Sequence, residues 1–68
     1  MSNRSVHADL RRQVRIDKAV HGVSTRQIAD ASGIDYHRLI KLTNGYAIPR
    51  PGELELVIAT IIRLGARQ

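Results

Sequence analysis

The sequence predicts a compact all-α domain of four helices, on three observations. Ser24 followed by Gln27 forms a capping box, in which the hydroxyl accepts from the N–H of Gln27 while the Gln27 side chain reaches back to the N–H of Ser24. Eleven residues on, a second N-cap follows at Asp35, with Gly33 between the two. On either side, apolar residues recur at helical spacing: Val6, Leu10 and Val14 before, and Leu54, Val57, Ile58, Ile61 and Ile62 after.

Each element follows in order. Met1 to Asn3 is expected to fray. A first helix is predicted from about residue 6 to His21, with Ala19 and Val20 continuing its apolar side and Asp9 near its positive end. Gly22 closes it, and Val23 folds back onto the core. Its outer face carries Arg11, Arg12 and Arg15, which reads as a solvated face rather than a phosphate-contacting edge.

The second helix is predicted at Thr25–Ser32, with Val23 and Ile28 placed as a hydrophobic staple. Gly33 then takes the positive φ that a side chain would resist. The third is predicted at Tyr36–Asn44, stapled by Ile34 and Leu39. Ala29 is small enough for the two backbones to approach closely, so Ile28, Ile34, Leu39 and Leu42 form a buried seam. That leaves Tyr36, His37, Ile40, Lys41 and Asn44 on the outward side, with Arg38 between the faces and Ile40 expected to pack on Tyr46.

Pro49 and Pro51 exclude helix from the linker 46–51. A fourth helix is predicted over about 52–64, with Glu53 and Glu55 near its N-terminus, Arg63 in its last turn and Gly65 beyond its end. Leu56 and Leu64 fall off its core stripe. The helix is therefore apolar over more of its circumference than one small core covers.

Composition bounds what such a chain does. Its 68 residues read as one domain, 1–68, a size that buries only about 60% of the surface its unfolded chain exposes. The net charge is +5 and sits unevenly: residues 4–50 hold nine basic and four acidic side chains, whereas 51–68 hold two of each. An anionic partner is implied. The absence of cysteine excludes a disulfide framework, a zinc finger and thiol chemistry. His7, His21 and His37 share no helix face at ligand spacing, so no metal is expected. No glycine-rich phosphate cradle, paired carboxylates or Ser/His/Asp set is present, so neither catalysis nor a cofactor is expected. The N-terminus lacks the apolar segment of a signal peptide. The most apolar stretch, Leu56 to Ile62, interrupted by Thr60, is far short of the roughly 20 residues of a bilayer span, so a chain in solution is expected, away from membranes.

The order Ala29, Gly33, Ile34, Leu39, Leu42, closed by Asn44-Gly45, resembles the helix-turn-helix of the phage Cro and C1 repressor family. The resemblance covers Gly22 to Ile61, with the motif at 25–45. Four positions depart from the family pattern. Thr25 stands where Gln is usual, and Ser32 where a large apolar residue is usual, so the core there is thinner or the hydroxyl bonds back to a helix carbonyl. Lys18 and Thr43 replace the Arg and Glu that pair in many relatives.

The resemblance implies a lambda-repressor-like fold of four helices, or five where relatives add one. It implies a cytoplasmic regulator, in a bacterium or phage-infected cell, that binds double-stranded DNA as a homodimer on a pseudo-palindromic operator, with no small-molecule ligand. Tyr36, His37, Lys41 and Arg38 are then expected to read bases, and Thr25, Arg26 and Arg50 to contact phosphates. Where relatives usually add a fifth helix, the leftover apolar surface of helix four, Leu56, Ile62 and Leu64, is assigned to a dimer contact. Rival readings are an antitoxin-like or adaptor module that uses helix four to hold a protein partner, and a recombination accessory factor that bends DNA.

Overall fold

The computed structural model describes residues 3–66, and side chains from His7 onward. Met1 and Ser2, and the side chain of Val6, lie outside the described residues, and so do the expectations placed on them. The described residues hold four helices and no strand: α1 (Asn3–His21), α2 (Thr25–Ser32), α3 (Tyr36–Asn44) and α4 (Glu53–Ala66).

The helix ends form where local chemistry dictates. At α1 the N–H of Val23 donates to the Lys18 carbonyl at 3.3 Å, which folds the chain back after His21. Ser24 and Gln27 make both halves of the capping box, at 3.1 and 2.8 Å. Gly33 ends α2 at φ 78°, where its N–H donates to the Ala29 carbonyl at 3.0 Å. A side chain there would be held in the left-handed region at a cost of about 1 to 2 kcal/mol. The Ile34 N–H donates to Ser32 Oγ at 3.2 Å, so the hydroxyl serves the turn. Asp35 then caps α3 by accepting from the Arg38 N–H at 3.1 Å.

The core draws on every helix. Val14, Val23, Ile28, Ala29, Leu39, Val57 and Ile61 form one buried cluster; Leu42 and Leu54 are also buried, and Ile34, Tyr36, Ile58 and Leu64 pack against it in part. Thr60 is buried as well, its hydroxyl donating to the Leu56 carbonyl at 2.8 Å. That bond lets a polar residue occupy the inner face of α4.

Helices α1 and α4 run alongside each other in the same direction. His7 and Leu10 share a groove with Leu54 and Glu55, and His21 meets Gly65 at the other end. Two expectations are corrected here. Gly65 lies inside α4, not past its end: a Cβ at this position would stand 2.8 Å from the His21 Cβ and run into its ring. The two helices touch there because no side chain intervenes. Ala19 and Val20 do not belong to the core, and Val20 is 72% exposed. A helix turns about 100° per residue, so the inner stripe of α1 runs from Leu10 and Val14 to half-buried Lys18 and His21 and passes Val20 by.

Candidate nucleic-acid interface

Helix α3 has two unlike sides. Leu39 and Leu42 are fully buried, while His37, Lys41 and Asn44 are exposed on the opposite side. Tyr36 and Ile40 are half-buried on one flank, and Arg38 on the other. The outward side is open because the core face is used up by residues three apart.

The Tyr36 flank adjoins the start of α2. The Arg26 guanidinium lies 4.4 Å from the centre of the Tyr36 ring, and the His37 ring meets Tyr36 edge-on at 5.7 Å and 74°. This cation–π stack joins residues ten apart in the chain, and so ties the start of α3 to the N-terminus of α2. Sequence periodicity carries no sign of it. Arg26 itself stays exposed.

Thr25 Oγ1 accepts from Lys18 Nζ at 2.6 Å, so α1 brings a cation to the positive end of α2. Arg15, Lys18, Thr25, Thr43 and Asn44 line an open notch of about 240 Å³ over Val14, Ile28 and Leu39. Arg11 is half-buried, its guanidinium against Gly45. The outer face of α1 therefore divides. Arg11 and Arg15 turn toward the end of α3, and Arg12 remains exposed.

Arg38 is corrected. Expected among the base readers, it spends its guanidinium inside the protein: Nε donates to Glu53 Oε2 at 2.9 Å and Nη2 to Glu53 Oε1 at 2.7 Å and to the Ile48 carbonyl at 3.4 Å. Glu53 is only 9% exposed and relies on Arg38 for a counter-charge, whereas Arg38, 29% exposed, stays partly solvated, so screening tempers the pair. The Glu53 carboxylate also accepts from the backbone N–H of Arg50 at 2.9 Å. Arg38 first, and that N–H with it, hold the Glu53 carboxyl below its ordinary range against the opposing effect of burial. An Arg at the third position of α3, fifteen residues before a Glu that opens the next helix, was the available signal.

The chain matches no protein family, curated protein or solved structure with which it was compared. Its site therefore rests on geometry. Thr25, Arg26, Tyr36 and His37 gather where α2 and α3 begin, Lys41 follows one turn along α3, and exposed Arg50 stands beyond the opposite flank, next to Glu53.

On α4, Leu56 and Ile62 are 46% and 50% exposed, but Leu64 packs against the core and leaves the expected dimer set. Leu56 and Ile62 are six residues apart, about 120° around a helix, so they edge different flanks. Tyr46 is also corrected: at 82% exposed it does not close over Ile40. Among the described residues no helix is long and apolar enough to cross a membrane.

Proposed function

We propose that this chain is a cytoplasmic, sequence-specific DNA-binding regulator that acts as a homodimer on a pseudo-palindromic operator, most simply as a repressor. One observation carries the reading: α3 is buried along one side and presents His37, Lys41 and Asn44 to solvent along the other, beside the positive N-terminus of α2. Such a helix fits a major groove, with Tyr36, His37 and Lys41 toward base edges. Thr25 and Arg26 at the start of α2 and exposed Arg50 on the other side are assigned to phosphates. Arg38 is assigned to Glu53 and drops out of the base-reading set. The net charge of +5 supports an anionic partner. The homodimer rests on the resemblance, with half-exposed Leu56 and Ile62 on separate flanks of α4. Regulation would then act by occupancy, the bound dimer excluding polymerase from a promoter.

Selection of bound sequences from a random duplex pool tests this reading. It is expected to return a symmetric site. With about three phosphates neutralised per subunit at roughly 0.9 each, log affinity should fall with log salt at a slope near −5. Lys41→Ala should cost about 1 to 3 kcal/mol on the selected site and little elsewhere, whereas Arg50→Ala should weaken all sequences alike. A slope near zero would overturn DNA binding, and equal losses for the two variants would undo the roles.

A further inference from the structure

We infer that the second copy packs on α4 in one register: antiparallel, about a two-fold axis at Ala59. That the partner is a second copy rests on the reading given above; the face and its register come from α4 itself. Ala59 is exposed, and the residues around it are ordered symmetrically. Leu56 and Ile62 stand three positions before and after it, Glu55 and Arg63 four positions before and after. At about 100° per residue, the first pair falls about 60° to either side of Ala59 and the second about 40°. Leu56 and Ile62, although on separate flanks, therefore border a single face with Ala59 at its centre. Each of these positions is exposed, while Leu54, Val57 and Ile61 fill the core side of the same helix.

Charge fixes the occupant and its direction. Neither Glu55 nor Arg63 forms an ion pair among the described residues, and uncharged Ala59 stands at the four-residue spacing from both, where a helical partner would sit. Arg63 Nη2 donates to the Ala31 carbonyl at 3.2 Å, which leaves further guanidinium donors for a carboxylate. A two-fold axis at Ala59 brings Glu55 opposite Arg63 of the second copy and Leu56 opposite its Ile62, and each contact occurs twice. Parallel pairing would instead set Glu55 against Glu55 and Arg63 against Arg63. The small side chain at the axis lets the two helices approach to about 8 Å. One helix pair makes a small contact, so the dimer should dissociate on dilution.

The test uses the full chain, by sedimentation equilibrium across a dilution series. The parent should be a reversible dimer whose dissociation constant rises with salt. Glu55→Arg and Arg63→Glu should each raise that constant by about tenfold or more, since each turns both ion pairs into repulsions. Mixed in equal amounts, the two variants should associate with each other about as tightly as the parent does with itself. Cross-linking reads the register. The chain has no cysteine, so Ala59→Cys supplies a single thiol that should give a disulfide-linked dimer on mild oxidation. Glu55→Cys should not, because antiparallel pairing sets the two copies of that position about 12 Å apart along the helix, beyond disulfide reach. Parental association in both charge variants overturns the inference, as does a mixture of the folded variants that fails to associate, or cross-linking at position 55 and not at 59. A parent that stays monomeric at every concentration overturns it together with the homodimer of the reading above. Dimerisation in this register without duplex binding upholds the inference and overturns the reading of α3.

Discussion

The α2–α3 pair and the α1–α4 pair are held by different kinds of information. Each end of α2 and α3 is set by a neighbour in the chain: Ser24 with Gln27, Gly33 with Ala29, Asp35 with Arg38, and Gly45 with Leu42. Helices α1 and α4 have no such fastening to each other. They meet along Leu10, Leu54 and the core cluster, and at the crossing of His21 and Gly65, residues more than forty apart. Local capping sets the bounds of the first pair, though both pairs draw their stability from the shared core. The difference matters because the proposed reading surface lies on the first pair and its support on the second.

The strongest way to break this division is Gly65→Ala. In an isolated helix the change would stabilise by about 1 kcal/mol, since glycine is a poor helix former. Here the new Cβ meets not only the His21 ring, which can turn, but the His21 Cβ, which moves only with the backbone. Overpacking should win, with a net loss of about 1 to 3 kcal/mol in urea denaturation. His21→Ala in the same chain should recover much of it, because the two changes share one contact. A rise in stability for Gly65→Ala alone would mean that the helices do not cross there.

Ser24→Ala probes the other pair. Loss of an N-cap costs about 1 kcal/mol, and here it also strands the N–H of Gln27. The loss should fall on α2 and on the placement of Arg26 over Tyr36, so hydrogen exchange should rise in α2 before it rises in α4. Uniform exchange across the chain would show the two pairs to be one cooperative unit.

The same division explains what could be read from the sequence. The bounds of α2 and α3, the turn at Gly33 and the outward placement of His37 and Lys41 follow from caps and spacing within twenty residues. Val20 was misplaced because its chemistry suits a core and only the position of α4 shows which side of α1 is inner. Leu64 and Gly65 were misplaced for the same reason at the other end of the crossing. Within the candidate site, Arg38 looked free because its partner opens a different helix, and the stack of Arg26 on Tyr36 crosses the turn. Contacts between elements decide which charges remain for a ligand, and one-dimensional spacing does not contain them.

Glu53 links the two pairs, and acid offers a way to loosen it. Its carboxyl is held below the ordinary range chiefly by Arg38, so its folded pKa lies under its unfolded one. Such a group adds stability that is present above the unfolded value of about 4.3 and is lost as pH falls through the folded value. Melting temperature should therefore drop on acidification below that range. Glu53→Gln should lower it at neutral pH and flatten the acid limb. Because Arg38 is partly open to solvent, screening keeps the effect below that of the lost cap. An acid limb of equal slope in both proteins would remove Glu53 as its source.

The smallest expected effect is the most pointed. If α1 were inner at Val20, as its chemistry suggests, Val20→Ser would open a cavity and bury a hydroxyl, at a cost well above 1 kcal/mol. With 72% of the side chain in water, neither penalty arises, and the change should stay within about 0.5 kcal/mol. Val14→Ser, six residues earlier on the same helix, removes a side chain that is 1% exposed and should carry the full cost. The ratio of the two losses measures how far the packing of α4, rather than the apolarity of α1, decides which residues of that helix are core.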